Sequence, residues 1–270
     1  MDTLQIHGTR VPRIGLGTWL TTGDDAKNAV AHALSVGYRH IDTAQVYENE
    51  SDVGEAIHAS GISRGDIWLT TKVWYENLRF QDVLSSTDVS LRKLRTDYVD
   101  LLLIHWPNPE VELEESLSAL SRIRESGKAR FIGVSNFPAD LLLEALQFVP
   151  DLLTNQVEYH PFLGQQELLN AVRSNEMFLT AYSPLARRRV AKDETIQTVA
   201  AAHGRSVYQI VLRWHLQQDA VVAIPKSKTP EYIEANLDVF DFELTADEMA
   251  AISDLARAQR IIDPDFAPTW

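Results

Sequence analysis

Tyr98-Val-Asp-Leu-Leu-Leu-Ile-His105 is apolar almost throughout and closes on an imidazole. Such a run fits a strand buried on both faces, as in a parallel sheet covered by helices. Two earlier runs end the same way: Tyr38-Arg-His-Ile-Asp42 on a carboxylate and Ile67-Trp-Leu-Thr-Thr-Lys72 on an amine, with Tyr47 shortly after the first. Helix-period segments separate the three. Alternation of this kind predicts a parallel α/β barrel, in which residues at the C-terminal strand ends converge on one mouth and do the chemistry there. Asp42, Tyr47, Lys72 and His105 are therefore expected to meet as a proton-transfer set.

Working outward, residues 3–13 predict a short hairpin turning at Gly8, and Arg13–Gly17 the first barrel strand. Further strands are expected at 131–135, 153–157, 178–182 and 221–224. A helix starting near Asp24, which can cap its own start, carries Ala29, Val30, Ala33 and Leu34 at helical spacing. Others are expected near 50–58, through Val83, Leu84, Leu91 and Leu94, through Leu117, Leu120 and Ile123, and near 138–147, 165–174, 192–203 and 206–217. Additional helices follow near 229–237 and 245–257. The pattern gives a (β/α)8 TIM barrel with a short N-terminal β-hairpin and additional helices, one domain over residues 1–270. No internal repeat, low-complexity tract or linker interrupts it.

Composition narrows the partners. With 45% apolar and 23% charged residues, the 270-residue chain can fill a core and carry a polar surface. A net charge of −13 weighs against nucleic-acid binding, which needs clustered cations. No apolar run approaches the roughly 20 residues that span a bilayer, and the opening Met1-Asp-Thr-Leu-Gln5 lacks the basic and apolar regions of a leader. A cytoplasmic monomer with a small-molecule partner is the expectation. The absence of cysteine removes disulfides, thiolate metal ligands and thiol nucleophiles together. His40 and His160 are expected to be packed structural residues, and no histidines pair at metal-ligand spacing on a helix. No metal is expected.

Nine motifs stand in order along nearly the whole chain: Gly15-Leu-Gly-Thr-Trp19, Gly37-Tyr-Arg-His-Ile-Asp-Thr-Ala44, Tyr47, Lys72-Val-Trp74, Leu103-Ile-His-Trp-Pro107, Gly133-Val-Ser-Asn-Phe137, Asn155-Gln-Val-Glu-Tyr-His-Pro161, Tyr182-Ser-Pro-Leu185 and Ile224-Pro-Lys-Ser227. In this order they resemble the aldo-keto reductases, most closely the short bacterial members near the 2,5-diketo-D-gluconate reductases. The resemblance implies NADPH-dependent reduction of a carbonyl to an alcohol, with NADH as an accepted alternative. Hydride addition makes an alkoxide that needs a proton. A phenol, with an ordinary pKa of about 10, is a poor acid until a nearby ammonium lowers that value. The resemblance makes Tyr47 the general acid, Lys72 its perturber, Asp42 the partner of Lys72, and His105 a hydrogen-bond donor to the carbonyl oxygen.

The same resemblance implies the cofactor contacts. Gly15-Leu-Gly17 opens like a Rossmann fingerprint, but Leu20 occupies the third glycine position and no matching βαβ unit follows. An extended dinucleotide across the barrel mouth is implied instead. Gly17, Thr18 and Trp19 would lie along it, Ser135, Asn136 and Gln156 would bond the carboxamide, and Tyr182 would stack on the nicotinamide. Ser183 and Leu185 would approach the pyrophosphate. Lys226, Ser227 and Lys228 would hold the adenosine 2′-phosphate, with Asn236 near the adenine. Tyr232 and Ala235 depart from the family pattern there, which implies weaker discrimination against NADH. Arg187-Arg-Arg189 reads equally as a phosphate clamp or a solvated loop.

Trp19, Trp74 and Trp106, with Tyr47 and His105, would wall an aromatic substrate pocket. The stretch 108–112 and the tail after Ile261 are short, so a shallow, open pocket for a small or polar carbonyl is expected: a keto sugar acid, methylglyoxal or an activated aldehyde. The reading from another class is a sensor or scaffold barrel that binds NADPH with negligible turnover.

Overall fold

The computed structural model describes residues 2–270. A hairpin of β1 (Thr3–Ile6) and β2 (Thr9–Pro12) precedes eight parallel strands: β3 (Leu16–Gly17), β4 (His40–Asp42), β5 (Trp68–Val73), β6 (Val99–Ile104), β7 (Ala129–Ser135), β8 (Thr154–Glu158), β9 (Phe178–Tyr182) and β10 (Val221–Ala223). They pair in sequence order, and the first meets the last. Gly15 N–H donates to the Ala223 carbonyl at 2.9 Å, Ala223 N–H to Arg13 at 3.0 Å, and Gly17 N–H to Pro225 at 3.1 Å. This seam closes a (β/α)8 barrel. It also needs a glycine, because a Cβ on residue 17 would lie 2.8 Å from the Ile224 carbonyl oxygen.

Helices α1 (Gly23–Ser35), α2 (Glu50–Ala59), α3 (Phe80–Leu94), α4 (Leu113–Glu125), α5 (Ala139–Phe148), α6 (Gln166–Ser174), α7 (Glu194–His203) and α8 (Val207–Gln217) wrap the strands, followed by α9 (Pro230–Leu237) and α10 (Ala246–Ser253). Two details differ from the sequence reading. Asp24 lies inside the first turn of α1 rather than capping it; Thr22 is the cap residue, and the Gly23 N–H is satisfied by Asp52 Oδ2 at 2.7 Å. The last helix stops at Ser253 rather than 257, and the backbone amides of Arg257 and Gln259 turn instead to the Phe162 carbonyl at 3.2 and 3.0 Å.

Strand parity sorts the side chains. Leu69 and Val73, or Leu102 and Ile104, join the core between sheet and helices. Trp68, Leu101, Leu103, Leu153, Phe178 and Val222 fill the barrel interior, with Leu4, Ile6 and Val11 of the hairpin packed against them. The hairpin therefore plugs the N-terminal end. Successive residues of a strand face opposite ways, so the inward columns continue upward: Trp68 to Lys72, Leu101 and Leu103 to His105, Thr154 to Gln156 and Glu158. Apolar layers below and polar groups above put the chemistry at the C-terminal end.

Candidate active site

At the top of those columns Lys72 is completely buried, and a charge there needs partners to offset its desolvation. Its Nζ donates to Asp42 Oδ1 at 2.5 Å and to the Thr43 carbonyl at 2.9 Å. The other carboxylate oxygen of Asp42 accepts from Gln156 Nε2 at 2.8 Å. Burial lowers the Lys72 pKa, while the negative charges of Asp42 and Glu50 oppose the fall. Tyr47 follows β4 in a short 3-10 turn over Gln45–Tyr47, with the Lys72 ammonium 5.0 Å from its ring centre. Its ring meets His105 edge-on at 5.6 Å. The four residues come together.

One electrostatic expectation fails. Lys72 was expected to lower the Tyr47 pKa, but burial, and then the Asp42 carboxylate, push it well above the ordinary value. The ammonium is engaged by Asp42 and Thr43. Tyr47 thus holds its proton throughout the neutral range. His105 moves the other way: burial, and then Lys72, hold it well below the ordinary imidazole value, so the ring is neutral. Its Nδ1 is buried without a hydrogen-bond partner.

Of these groups Asp42, Tyr47 and His105 border a cavity of about 430 Å³, and Lys72 lies behind its lining. Asp42, Tyr47, His105, Asn136, Gln156 and Tyr182 line it together with Trp74, Trp106, Gly17, Thr18, Trp19, Ser183 and Lys226. Asn136, at φ 62°, donates from Nδ2 to the His105 carbonyl at 2.9 Å and accepts at Oδ1 from the Tyr182 hydroxyl at 2.7 Å. The Thr18 hydroxyl donates to the Asp42 carbonyl at 2.9 Å. Ser135 does not reach the cavity: it is buried, and its hydroxyl donates to the Gln156 carbonyl at 2.7 Å. Leu185, Ser227, Lys228 and Asn236 also lie off the lining. Ser227 Oγ serves the local turn to Thr229, and Lys228 Nζ pairs with Asp25 at 2.8 Å on the surface.

Other residues lining the cavity were missed or left open. Arg187 lines it, its guanidinium 5.1 Å from the Trp19 ring centre, whereas Arg188 lies over Tyr208. The tail does not leave the mouth open. Ile261, Ile262, Asp263, Pro264 and Phe266 lie along the cavity. Phe266 stacks on Tyr75 at 4.4 Å and meets Trp74 and Trp106 edge-on at 5.6 and 5.7 Å. Only the loop at 108–112 stays outside, lining an adjoining apolar cavity of about 240 Å³ through Asn108, Pro109 and Val111. Tail residues carried no periodic signal, but a phenylalanine near the chain end was a visible cue.

Residues 13–257 match the Aldo/keto reductase family. The chain belongs to this family. A methylglyoxal reductase of Escherichia coli O157:H7 is 40% identical over 96% of this chain and 99% of its own length. A crystal structure provisionally named 2,5-diketo-D-gluconic acid reductase B superposes with a TM-score of 0.97 at 44% identity, covering 100% of this chain and 97% of its own. A variant of Gox0644 solved in complex with NADPH gives 0.92 at 36% identity over 99% of each chain. As an aldo-keto reductase, the chain is an oxidoreductase of small carbonyl compounds dependent on NAD(P)H. Among the described residues no helix is long and apolar enough to cross a membrane.

Proposed function

We propose that this aldo-keto reductase reduces small aldehydes and ketones, dicarbonyls such as methylglyoxal and keto sugar acids among them, with NADPH as electron donor and Tyr47 as general acid. The cavity fits a nicotinamide dinucleotide by its donor set. Asn136, Gln156 and Tyr182 offer amide and phenol groups to it, and Arg187 and Lys226 offer cations. Asn136, Gln156 and Tyr182 would hold the nicotinamide end and Ser183, Arg187 and Lys226 the phosphates, with Gly17, Thr18 and Trp19 alongside. When bound, the cofactor supplies the hydride.

The chain's own residues do the rest. Neutral His105 donates a hydrogen bond to the carbonyl oxygen as negative charge grows there. Tyr47 delivers its proton to that oxygen; burial keeps the proton on the phenol until the charge growing on the oxygen draws it across. The Lys72–Asp42–Gln156 network beneath keeps a positive charge near the phenolate that remains. Trp74, Trp106 and Phe266 exclude water and bound the substrate's size. The observation that carries the reading is this buried ammonium, held by Asp42 and Thr43 below a phenol that faces a ligand-sized cavity.

Consumption of NADPH with methylglyoxal and a 2,5-diketo sugar acid, in wild type and Tyr47→Phe, tests it. Turnover should fall by about 100-fold or more with NADPH binding retained. Equal turnover in the variant would remove Tyr47 as the acid. Tight NADPH binding with no turnover on any carbonyl would favour a sensor or scaffold role.

A further inference from the structure

Glu158 ends β8 with no role in the proposed chemistry, yet its carboxylate is completely buried at the active end of the barrel. Among the described residues no Lys or Arg forms an ion pair with it; its oxygens are satisfied instead by N–H groups. His160 Nε2 lies 2.8 Å from Oε1. The Ile261 N–H donates to both oxygens, at 2.9 and 3.1 Å, and the Ile262 N–H to Oε2 at 2.8 Å. The chain that follows, Asp263, Pro264 and Phe266, is the wall of the proposed substrate pocket.

A buried carboxylate stripped of its donors is costly, of the order of several kcal/mol, so the tail and Glu158 hold each other. An irregular segment with no sheet or helix of its own is otherwise cheap to open. Upstream the tail has one other backbone fastening, from Arg257 and Gln259 to the Phe162 carbonyl. Downstream, the ring contacts of Phe266 hold it against Trp74, Tyr75 and Trp106. The Glu158 carboxylate is the fastening between these two points.

We infer that Glu158, oriented by His160, is a positioning residue that latches the tail at Ile261 and Ile262 and so sets the wall against which the carbonyl substrate binds. The inference rests on the reductase reading for its substrate, but its geometry does not. With the latch intact, Phe266 sits where a small carbonyl is gripped against Trp74 and Trp106. With the latch open, the wall retreats and grip on a small substrate is lost while Tyr47 and His105 stay in place.

Hydrogen–deuterium exchange of the full chain, without ligand, reads the latch directly. In Glu158→Gln the amides of Ile261 and Ile262 should exchange about 10-fold faster or more, with β8 and β9 still protected, because a neutral amide accepts these bonds more weakly. His160→Gln should give a smaller increase at the same amides and serves if the first variant does not fold. In steady state, KM for methylglyoxal should rise about 10-fold in Glu158→Gln with kcat changed less than about twofold, the mark of lost binding rather than lost chemistry. Phe266→Ala should reproduce the KM rise while leaving Ile261 and Ile262 protected. Unchanged exchange at these amides in both latch variants, or protection lost throughout the barrel, would overturn the inference. If the wild type turns over no carbonyl, the reductase reading fails, and the exchange result alone decides the latch.

Discussion

Replacing Lys72 with methionine keeps the length of the side chain and removes its charge. The geometry fixes what is left behind. Asp42 keeps one donor, Gln156 Nε2 at 2.8 Å, and loses the ammonium at 2.5 Å; the Thr43 carbonyl loses the same donor at 2.9 Å. Asp42 is almost fully buried, so water cannot take the vacated place without rearrangement. Breaking a buried pair from one side costs about 3–5 kcal/mol, because an uncompensated charge stays in a poorly solvating interior. Removing both charges is far cheaper, since the pair's attraction largely offset its own desolvation. The expected order in urea unfolding at neutral pH is wild type most stable, Asp42→Asn/Lys72→Met next, and Lys72→Met alone least stable. The single variant should also lose on the order of 10 °C in Tm. If Lys72→Met costs less than about 1 kcal/mol, or the double variant is worse than the single, then the ammonium and carboxylate are not coupled as described and the argument fails.

The remaining predictions concern pH and packing. His105, held neutral by burial and Lys72, should add no inflection to kcat/KM around pH 6–7, where an ordinary imidazole titrates. An acidic limb near about 6.5 that vanishes in His105→Gln would contradict this. His215 is fully buried with its ring nitrogens 2.8 and 3.0 Å from the Val211 and Tyr159 carbonyl oxygens, and burial brings its pKa down to about 4. Its folded value lies below its unfolded one, so the stabilising contribution is complete above about 6.5 and is lost as pH falls toward about 4. In urea titrations across that window wild type should lose up to about 1.4 kcal/mol per pH unit more than His215→Gln; parallel slopes would refute the assignment. Gly54 on α2 faces α3 so closely that a Cβ would sit 2.6 Å from the Leu94 backbone. Gly54→Ala should therefore cost about 1–3 kcal/mol, and an unchanged urea midpoint would show that the two helices part freely.

Much of the barrel could be read from the chain because inward and outward residues alternate over an apolar floor. Asp42, Lys72 and His105 were legible for that reason: each is the polar end of a run whose parity points into the barrel. Tyr47 carries a weaker signal, its place just after the run that ends at Asp42, because a 3-10 turn rather than a strand places it; the resemblance to a family supplied its role as acid. The partner of the Ser135 hydroxyl was not readable because a hydroxyl's acceptor is settled by local geometry, here in favour of the Gln156 carbonyl. The Tyr47 pKa was misjudged because neighbouring charges were weighed without burial, which dominates. The wall at 261–266, signalled in the chain only by Phe266, was hard to read for a different reason. It is fastened by backbone amides, which every residue there but proline possesses, to a carboxylate 103 and 104 positions away.

The seam between β3 and β10 also dictates when the molecule can first work. Gly17 and Lys226 border the same cavity, yet the chain that separates them must be synthesised and folded before they meet. A nascent chain halted before residue 221 has no β10, so its first strand lacks a partner on one side and the polar columns end in water. Long-range closure of this kind is slow and all-or-none in character. A cavity bordered by both Gly17 and Lys226 is therefore complete only in a barrel closed between its first and last strands.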